Sequence, residues 1–243
     1  MPALFTPEMK ETHTILVPDM LPVHFQLLIS ILKPYGYHCE LLRTASRAVV
    51  DEGLKNVHND TCYPALLVIG QFMEALKSGR YAPNKTALLI TQTGGGCRAS
   101  NYIHLLRKAL EQQFPQVPVI SLNFSGLEED PRSGWKITPL IFLKFLYAVL
   151  YGDLLMRVLY RVRPYELEPG SANALHHKWQ KRILSDISNR RHRAFRDNVF
   201  RIVKEFDELL LKDIKKPRVG LVGEILVKIH PTANNKIVEL VEA

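Results

Sequence analysis

The sequence predicts an α/β protein: a Rossmann/flavodoxin-like parallel sheet domain, followed by a helical region and the truncated start of a second α/β domain. Two observations predict the first domain and the region after it. Short apolar, β-prone runs alternate with helical patterns up to Asn123, which is typical of a parallel sheet covered on both faces. From Lys136 to Lys212 the pattern is helical only, and its last amphipathic stretch carries Asn198, Ile202 and Phe206.

The elements of the first domain follow from periodicity. Strands are expected at residues 14–18, 39–42, 85–91 and 117–123. Helices are expected at residues 22–35, 47–57, 63–77 and 101–113. Because crossovers between parallel strands are right-handed, the loops that follow the strands meet at one edge of the sheet, where such sheets bind ligands.

The chain is expected to have three parts. Residues 1–135 form the first α/β domain with a Gly-rich cysteine loop, 136–216 the helical region, and 217–243 the first β–α unit of an incomplete second α/β domain. In that last part, 218–222 is expected to be a strand and 233–241 a helix. One strand and one helix cannot bury a sheet core. A further segment or a partner chain is therefore expected to complete this part.

Composition excludes several classes of protein. The chain has 243 residues, is 47% hydrophobic and 23% charged, and carries a net charge of +8. Its densest basic stretch, 178–196, matches no known nucleic-acid-binding module and is expected to be a solvated helix face. The most apolar stretch, 137–160, is interrupted by Lys144, Asp153 and Arg157. With no secretion signal, a cytoplasmic protein that binds neither membrane nor nucleic acid is expected.

The segment Thr91-Gln-Thr-Gly-Gly-Gly-Cys97-Arg-Ala-Ser-Asn101 is the strongest indication of a functional site. It joins a predicted strand to a predicted helix. Glycines allow close approach of a bound group, and a helix N-terminus offers free N–H groups and partial positive charge. These stabilise a thiolate, the form of cysteine that ligates iron or zinc. Cys97 is therefore a candidate metal ligand; the alternative is a small residue buried behind a turn.

The other two cysteines differ in context. Cys62 lies just before a predicted helix that Asp60 or Thr61 can cap, with Pro64 in its first turn, so its pKa is expected to fall. It either converges with Cys97 or packs in the core. Cys39 lies in a strand and is expected to pack in the core. Three cysteines without a signal peptide argue against a disulfide scaffold.

Several other sequence features allow more than one interpretation. The triple glycine could instead hold a phosphate, as in a CoA substrate, although no Gly-Lys-Ser/Thr follows it. A second polar loop, Gly223-Glu224 with Pro231-Thr-Ala-Asn234-Asn235, suits helix capping and ligand contact equally. Three histidines lack the spacing to carboxylates that a zinc site needs and are expected to be surface or core residues: His104, His176 and His177. No catalytic residue is assigned.

Four motifs together resemble a known family. They are Asn59-Asp-Thr-Cys62-Tyr-Pro64, the Thr91–Tyr102 segment, Tyr151-Gly152-Asp153, and Val222-Gly223-Glu224 with Pro231-Thr-Ala-Asn234. The chain resembles the acyl-CoA dehydratase activase-related proteins of the 2-hydroxyacyl-CoA dehydratase and benzoyl-CoA reductase superfamily, which includes double-cubane-cluster members. The resemblance extends from about His13 to Ala243.

The resemblance implies an iron–sulfur cluster, of [4Fe–4S] or double-cubane type, with Cys62 and Cys97 as ligands. Residues of the glycine loop would contact the cofactor: Gly94, Gly95, Gly96, Arg98, Ser100 and Asn101. A cubane in this superfamily usually takes three cysteines of a subunit, so a third ligand is expected in the missing second domain. The activator's ATPase motifs are absent from this chain.

The implied function is an iron–sulfur component, or a fragment of one, of an ATP-dependent low-potential electron-transfer system acting with 2-hydroxyacyl-CoA dehydratase-type enzymes. If the chain is active, it is a dehydratase-like lyase or a reductase. The implied partners are an ATP-dependent activator module, a dehydratase subunit, an acyl-CoA substrate and a second copy of the chain. The alternatives are a non-catalytic interaction module that docks on the activator or dehydratase, and a CoA- or phosphate-binding domain.

Overall fold

The computed structural model describes residues 3–43, 46–58, 60–92, 98–123, 134–188, 194–230 and 232–242. The chain divides into two compact units, which we describe separately. Unit 1 comprises residues 1–20, 35–136 and 223–235, and unit 2 comprises residues 21–34, 137–222 and 236–243. Both units combine segments from across the domain boundaries expected from the sequence.

Four strands and ten helices form within the described residues. The strands are β1 (Thr14–Pro18), β2 (His38–Leu42), β3 (Thr86–Gln92) and β4 (Val119–Asn123). The helices are α1 (Met9–Thr12), α2 (Pro22–Leu32), α3 (Arg47–Asn56), α4 (Tyr63–Lys77), α5 (Tyr102–Glu111), α6 (Pro139–Val162), α7 (Ser171–Ser188), α8 (Phe195–Asp207), α9 (Ile225–Ile229) and α10 (Ile237–Glu242).

Unit 1 contains a parallel sheet with the strand order β2-β1-β3-β4. β1 pairs with β2 on one side and with β3 on the other, so that Ile15 lies opposite both Cys39 and Ala87. The side chains of β1 and β3 are almost all buried, as expected for inner strands of a sheet covered on both faces. The predicted Rossmann/flavodoxin-like α/β fold is thereby confirmed.

Helices α3 and α4 pack unusually closely in unit 1. A Cβ atom placed on Gly70 of α4 would lie 2.0 Å from the carbonyl oxygen of Val49, and one on Gly53 of α3 would lie 2.4 Å from that of Leu66. These distances are below any ordinary van der Waals contact. The two helix backbones therefore approach to a distance that requires glycine at both positions.

Unit 2 is helical and is built around α6. One face of α6 is buried and packs against α2, α7 and α8. In the motif Tyr151-Gly152-Asp153, the Asn198 amide of α8 donates a hydrogen bond to the Tyr151 hydroxyl at 3.1 Å. The Asp153 carboxylate lies 3.0 Å from His24 Nε2. This motif, singled out from the sequence, thus joins α6 to two neighbouring helices.

The opposite face of α6 is apolar and exposed. Its exposed side chains over the first half of the helix are Leu140, Phe142, Leu143, Leu146, Val149 and Leu150. With the turn after it (Pro139–Tyr165), α6 is the one helix among the described residues that is long and apolar enough to cross a membrane. Core helices of soluble proteins pass the same criterion, so a single such helix is only a weak indication of a membrane protein.

His176 of α7 makes the stability of the protein depend on pH. Burial, with smaller effects from the charges of His177 and Arg163, lowers the pKa of His176 to about 4. Between pH 6.5 and 4 the unfolded chain binds a proton at this position and the folded chain does not, so the free energy of unfolding falls as the pH drops through this window. Denaturant titrations from pH 7 to 4 should show a shallower fall for His176→Gln than for the wild type. The same change at exposed His104 should leave the slope unaltered, and equal slopes in all three proteins would contradict the assignment.

The carboxyl-terminal part differs from the prediction. Residues 218–222 form no strand and are exposed, with Val222 90% accessible, so the predicted strand is wrong. The predicted helix at 233–241 is shorter and later, because turns occupy 232–236 before α10. Helix α9 was not predicted. The amphipathic pattern around Ile202 and Phe206 does form a helix, α8, which buries both side chains.

Candidate functional site

The carboxyl edge of the unit 1 sheet is the candidate site. β1, β3 and β4 end there at Pro18, Gln92 and Asn123. The chain leaves β1 toward β2 on one side of the sheet, while β3 and β4 lie on the other, so the topological switch point falls between β1 and β3. Ligands of open parallel sheets bind in the crevice at such a point.

Gln92, the last residue of β3, organises this edge. Its side-chain Nε2 donates a hydrogen bond to the main-chain oxygen of Ser100 at 3.1 Å, and its Oε1 accepts one from the Ser121 hydroxyl at 3.0 Å. The amide therefore ties the end of β3 to β4 and to the 3-10 turn Arg98–Asn101 that leads into α5. A buried amide with two fixed partners holds the turn in one position.

Cys62 lies at this edge, at the N-cap of α4. Its Sγ atom and the hydroxyl oxygen of Tyr102, the first residue of α5, share a hydrogen bond of 2.9 Å in which either group can be the donor. Tyr102 is buried and Cys62 is half-buried. The structure thus brings Cys62 to the start of the helix that follows the glycine loop, as the hypothesis of converging cysteines requires.

Capping of α4 differs from the expectation. Cys62 itself occupies the N-cap position and makes no side-chain capping bond to the helix, so neither Asp60 nor Thr61 is the cap residue. Pro64 lies in the first turn, as predicted. With its sulfur not engaged in capping, Cys62 directs its hydrogen bond to Tyr102 instead.

Most of the predicted glycine loop lies outside the described residues. This applies to Gly94, Gly95, Gly96 and Cys97, and to the side chain of Arg98. Ser100 and Asn101 are described: Ser100 is half-buried with its carbonyl bound by Gln92, and Asn101 is an exposed N-cap of α5 without a side-chain capping bond. The assignment of these residues to a cofactor, and the alternative of a phosphate, stay predictions.

Cys39 lies away from this site. It is the second residue of β2, opposite Ile15, and so about 10 Å along the strand from the carboxyl edge. Burial raises the pKa of its thiol to about 12. Cys39 is therefore a half-buried cysteine whose thiol is protonated at neutral pH.

The second polar loop is engaged in helix capping. The Glu224 carboxylate accepts a hydrogen bond from the Val227 main-chain N–H at 2.8 Å and caps the start of α9. The Asn234 amide donates to the Lys228 carbonyl oxygen at 2.8 Å, at the end of the same helix. The described contacts therefore favour capping over ligand contact for these two residues.

Two residues that sequence reasoning missed also lie at the edge. Asp19 follows β1 directly, and His230 follows α9; the His230 ring lies beside the main chain of Asp19. The main-chain N–H of Asp19 donates to Gln71 Oε1 of α4 at 3.1 Å. An acidic residue directly after a buried strand was the available signal for Asp19. His230 had none, because only folding brings it to β1.

Within the described residues, no group of three or more His, Cys, Asp or Glu side chains is arranged to hold a metal ion.

The chain matches no protein-family model, no curated protein and no solved structure. The parallel sheet with its flanking helices alone establishes the fold.

Proposed function

We propose that unit 1 binds an iron–sulfur cluster through Cys62 and Cys97. The observation that carries the proposal is the hydrogen bond between Cys62 and Tyr102, because Tyr102 follows Cys97 by only five residues. Only the 3-10 turn Arg98–Asn101 separates Cys97 from Tyr102 in the sequence, which supports the proposal that both cysteines bind one cluster. Cysteine thiolates are the usual ligands of iron–sulfur clusters.

One chain supplies only part of a ligand set. A [4Fe–4S] cluster takes four thiolates, and Cys39 is excluded as a third by its place in β2 and its raised pKa. The remaining ligands would come from a further domain or from another polypeptide. A second copy of this chain, with its own Cys62 and Cys97, would complete the set.

In the wider proposal, the chain is a cytoplasmic component of an ATP-dependent, low-potential electron-transfer system that acts with 2-hydroxyacyl-CoA dehydratase-type enzymes. The sequence motifs support this, together with the position of Cys62 at the carboxyl edge of the sheet. Tyr102 has a defined part in it: a hydroxyl that donates to a thiolate ligand stabilises the anion and tunes the cluster.

The test is anaerobic reconstitution with iron and sulfide, followed by measurement of iron per chain. The wild type should take up iron, and Cys62→Ser and Cys97→Ser should each lose most of it, because a cluster does not survive loss of a thiolate ligand without a replacement. Two matched variants should retain wild-type iron: Cys39→Ser, which removes the thiol away from the edge, and Tyr102→Phe, which removes the neighbouring hydroxyl only. Equal iron in the wild type and both ligand variants, or none in the wild type, would refute the proposal.

A second candidate is a non-catalytic module that docks on an activator ATPase or a dehydratase subunit. The exposed apolar face of α6 in unit 2 favours it, because contiguous exposed apolar side chains mark interaction surfaces. In a pull-down with such a partner, a complex that persists in Cys62→Ser/Cys97→Ser but is lost in Leu146→Glu would support docking through α6. A complex indifferent to Leu146→Glu would exclude that face.

A further inference from the structure

Helix α6 carries an exposed apolar stripe along its first half. We define the α6 stripe as five side chains, each between 39% and 51% exposed: Phe142, Leu143, Leu146, Val149 and Leu150. At about 100° per residue these positions fall within an arc of about 120°, opposite the buried face that packs against α2, α7 and α8. The stripe ends at Asp153, and beyond it the same face bears exposed Arg157.

The spacing of the stripe suits another helix. Leu143, Leu146 and Leu150 are three and four residues apart, which is the spacing of the a and d positions of a coiled coil. Phe142 and Val149 border this seam on one side. A facing helix can insert its own side chains between those of such a seam, so a helix is the element that the stripe fits best.

Charge and symmetry favour a second α6 in antiparallel orientation. A two-fold contact uses the same surface on both partners. Two parallel α6 helices would bring Asp153 opposite Asp153 and Arg157 opposite Arg157, and like charges repel. When two antiparallel helices cross at Leu146, Asp153 of each lies beside Pro139 in the first turn of the other, because both are seven residues from the crossing. The partial positive charge of a helix N-terminus stabilises a carboxylate there.

We propose that the α6 stripe pairs with the same stripe of a second copy of the chain, antiparallel and with a two-fold axis at Leu146. This commits the face considered under the second candidate function to a different occupant. The stripe exposes roughly 500 Å² per copy. The pair therefore buries about 1,000 Å², against about 1,600 Å² in a standard stable interface, and a weak dimer with a dissociation constant of about 10–100 µM is expected.

Sedimentation velocity of the full chain, from about 5 to 500 µM, tests the association. The wild type should shift from the mass of one chain to twice that mass. Leu146→Glu opposes two carboxylates at the axis and should raise the dissociation constant about tenfold or more. Phe200→Glu makes a matched change at an exposed position of α8 outside the stripe and should dimerise like the wild type. Circular dichroism checks that both variants fold.

Cysteine cross-linking tests the orientation. It uses a Cys62→Ser/Cys97→Ser background, which itself serves as the blank because it retains Cys39. Phe142→Cys and Leu150→Cys proteins should form a disulfide when mixed, since antiparallel helices that cross at Leu146 place 142 opposite 150. Leu150→Cys alone should not, because its two copies lie eight residues, about 12 Å, apart along the helix axis and a disulfide spans less than about 7 Å between Cα atoms.

A wild type that stays monomeric over the whole range, or a Leu146→Glu variant that dimerises like Phe200→Glu, would overturn the proposal. A stronger cross-link in Leu150→Cys alone than in the mixture would overturn it too. A monomeric wild type that floats with vesicles of phosphatidylcholine and phosphatidylglycerol would instead assign the stripe to a membrane. The association uses neither Cys62 nor Cys97, so a dimer in the background protein, together with failed iron uptake in the wild type, refutes the cluster and supports this interface.

Discussion

Replacing Gly70 with alanine should destabilise unit 1 by about 3 kcal/mol or more. Helix propensity alone favours alanine over glycine inside α4 by about 1 kcal/mol. The added methyl, however, would lie 2.0 Å from the carbonyl oxygen of Val49, a main-chain atom of α3 that can move only with its helix. Steric overlap therefore outweighs helix propensity. Propensity alone predicts that the substitution raises the free energy of unfolding, whereas the structure predicts that it lowers it.

Thermal unfolding followed by circular dichroism measures this effect, and a loss of about 3 kcal/mol should lower the midpoint by roughly 6–12 °C for a chain of this size. Gly53→Ala, at the other close contact, should behave alike. Gly220→Ala is the matched control, because a Cβ there meets no atom within 4 Å. A Gly70→Ala midpoint equal to that of the control would show that α3 and α4 do not pack this closely.

Replacing Gly152 with alanine should destabilise unit 2 by about 2–3 kcal/mol. The new Cβ would lie 2.4 Å from Cδ2 and 2.5 Å from Nε2 of the His24 ring. The ring is buried and hydrogen-bonded to Asp153, so it cannot swing aside without losing that bond. Either α2 shifts away from α6 or the His24–Asp153 pair breaks.

A double-mutant cycle isolates this contact. In a His24→Ala background the ring is gone, so Gly152→Ala should become neutral or stabilising, and the two changes should couple by more than 1 kcal/mol. Unfolding in denaturant, which gives the free energy of each of the four proteins, is the measurement. If Gly152→Ala costs the same in both backgrounds, the ring is not the obstacle.

The local pattern of apolar residues was sufficient to predict most strands and helices of unit 1. Alternation of apolar runs and helical spacing predicted 14–18 as a strand and 63–77 as a helix, and both form with these bounds. The placement of Cys62 at a helix start at the carboxyl edge also followed from the sequence, because strand order and handedness determine where the loops meet. The contact between Cys62 and Tyr102 could not be foreseen, since it depends on the angle between α4 and α5.

Other features depend on tertiary context. The apolar stretch Val219 to Val222 has strand propensity but pairs with no strand in the part of the chain that the structure describes, and β propensity has little effect without such a partner. The helical pattern of α2 does not reveal that it packs against α6 and α7. His230 meets Asp19 only because a distant segment returns to unit 1.

Because the segments of the two units alternate along the chain, neither unit is complete until late in synthesis. The chain passes between them at 20/21, 34/35, 136/137, 222/223 and 235/236, so no single cleavage releases either as a continuous fragment. On the ribosome, the apolar cluster of Val49, Leu66 and Leu67 emerges roughly 10–30 s before Ala233, which packs against it. During that interval the nascent chain presents this cluster incompletely covered, as a binding site for chaperones.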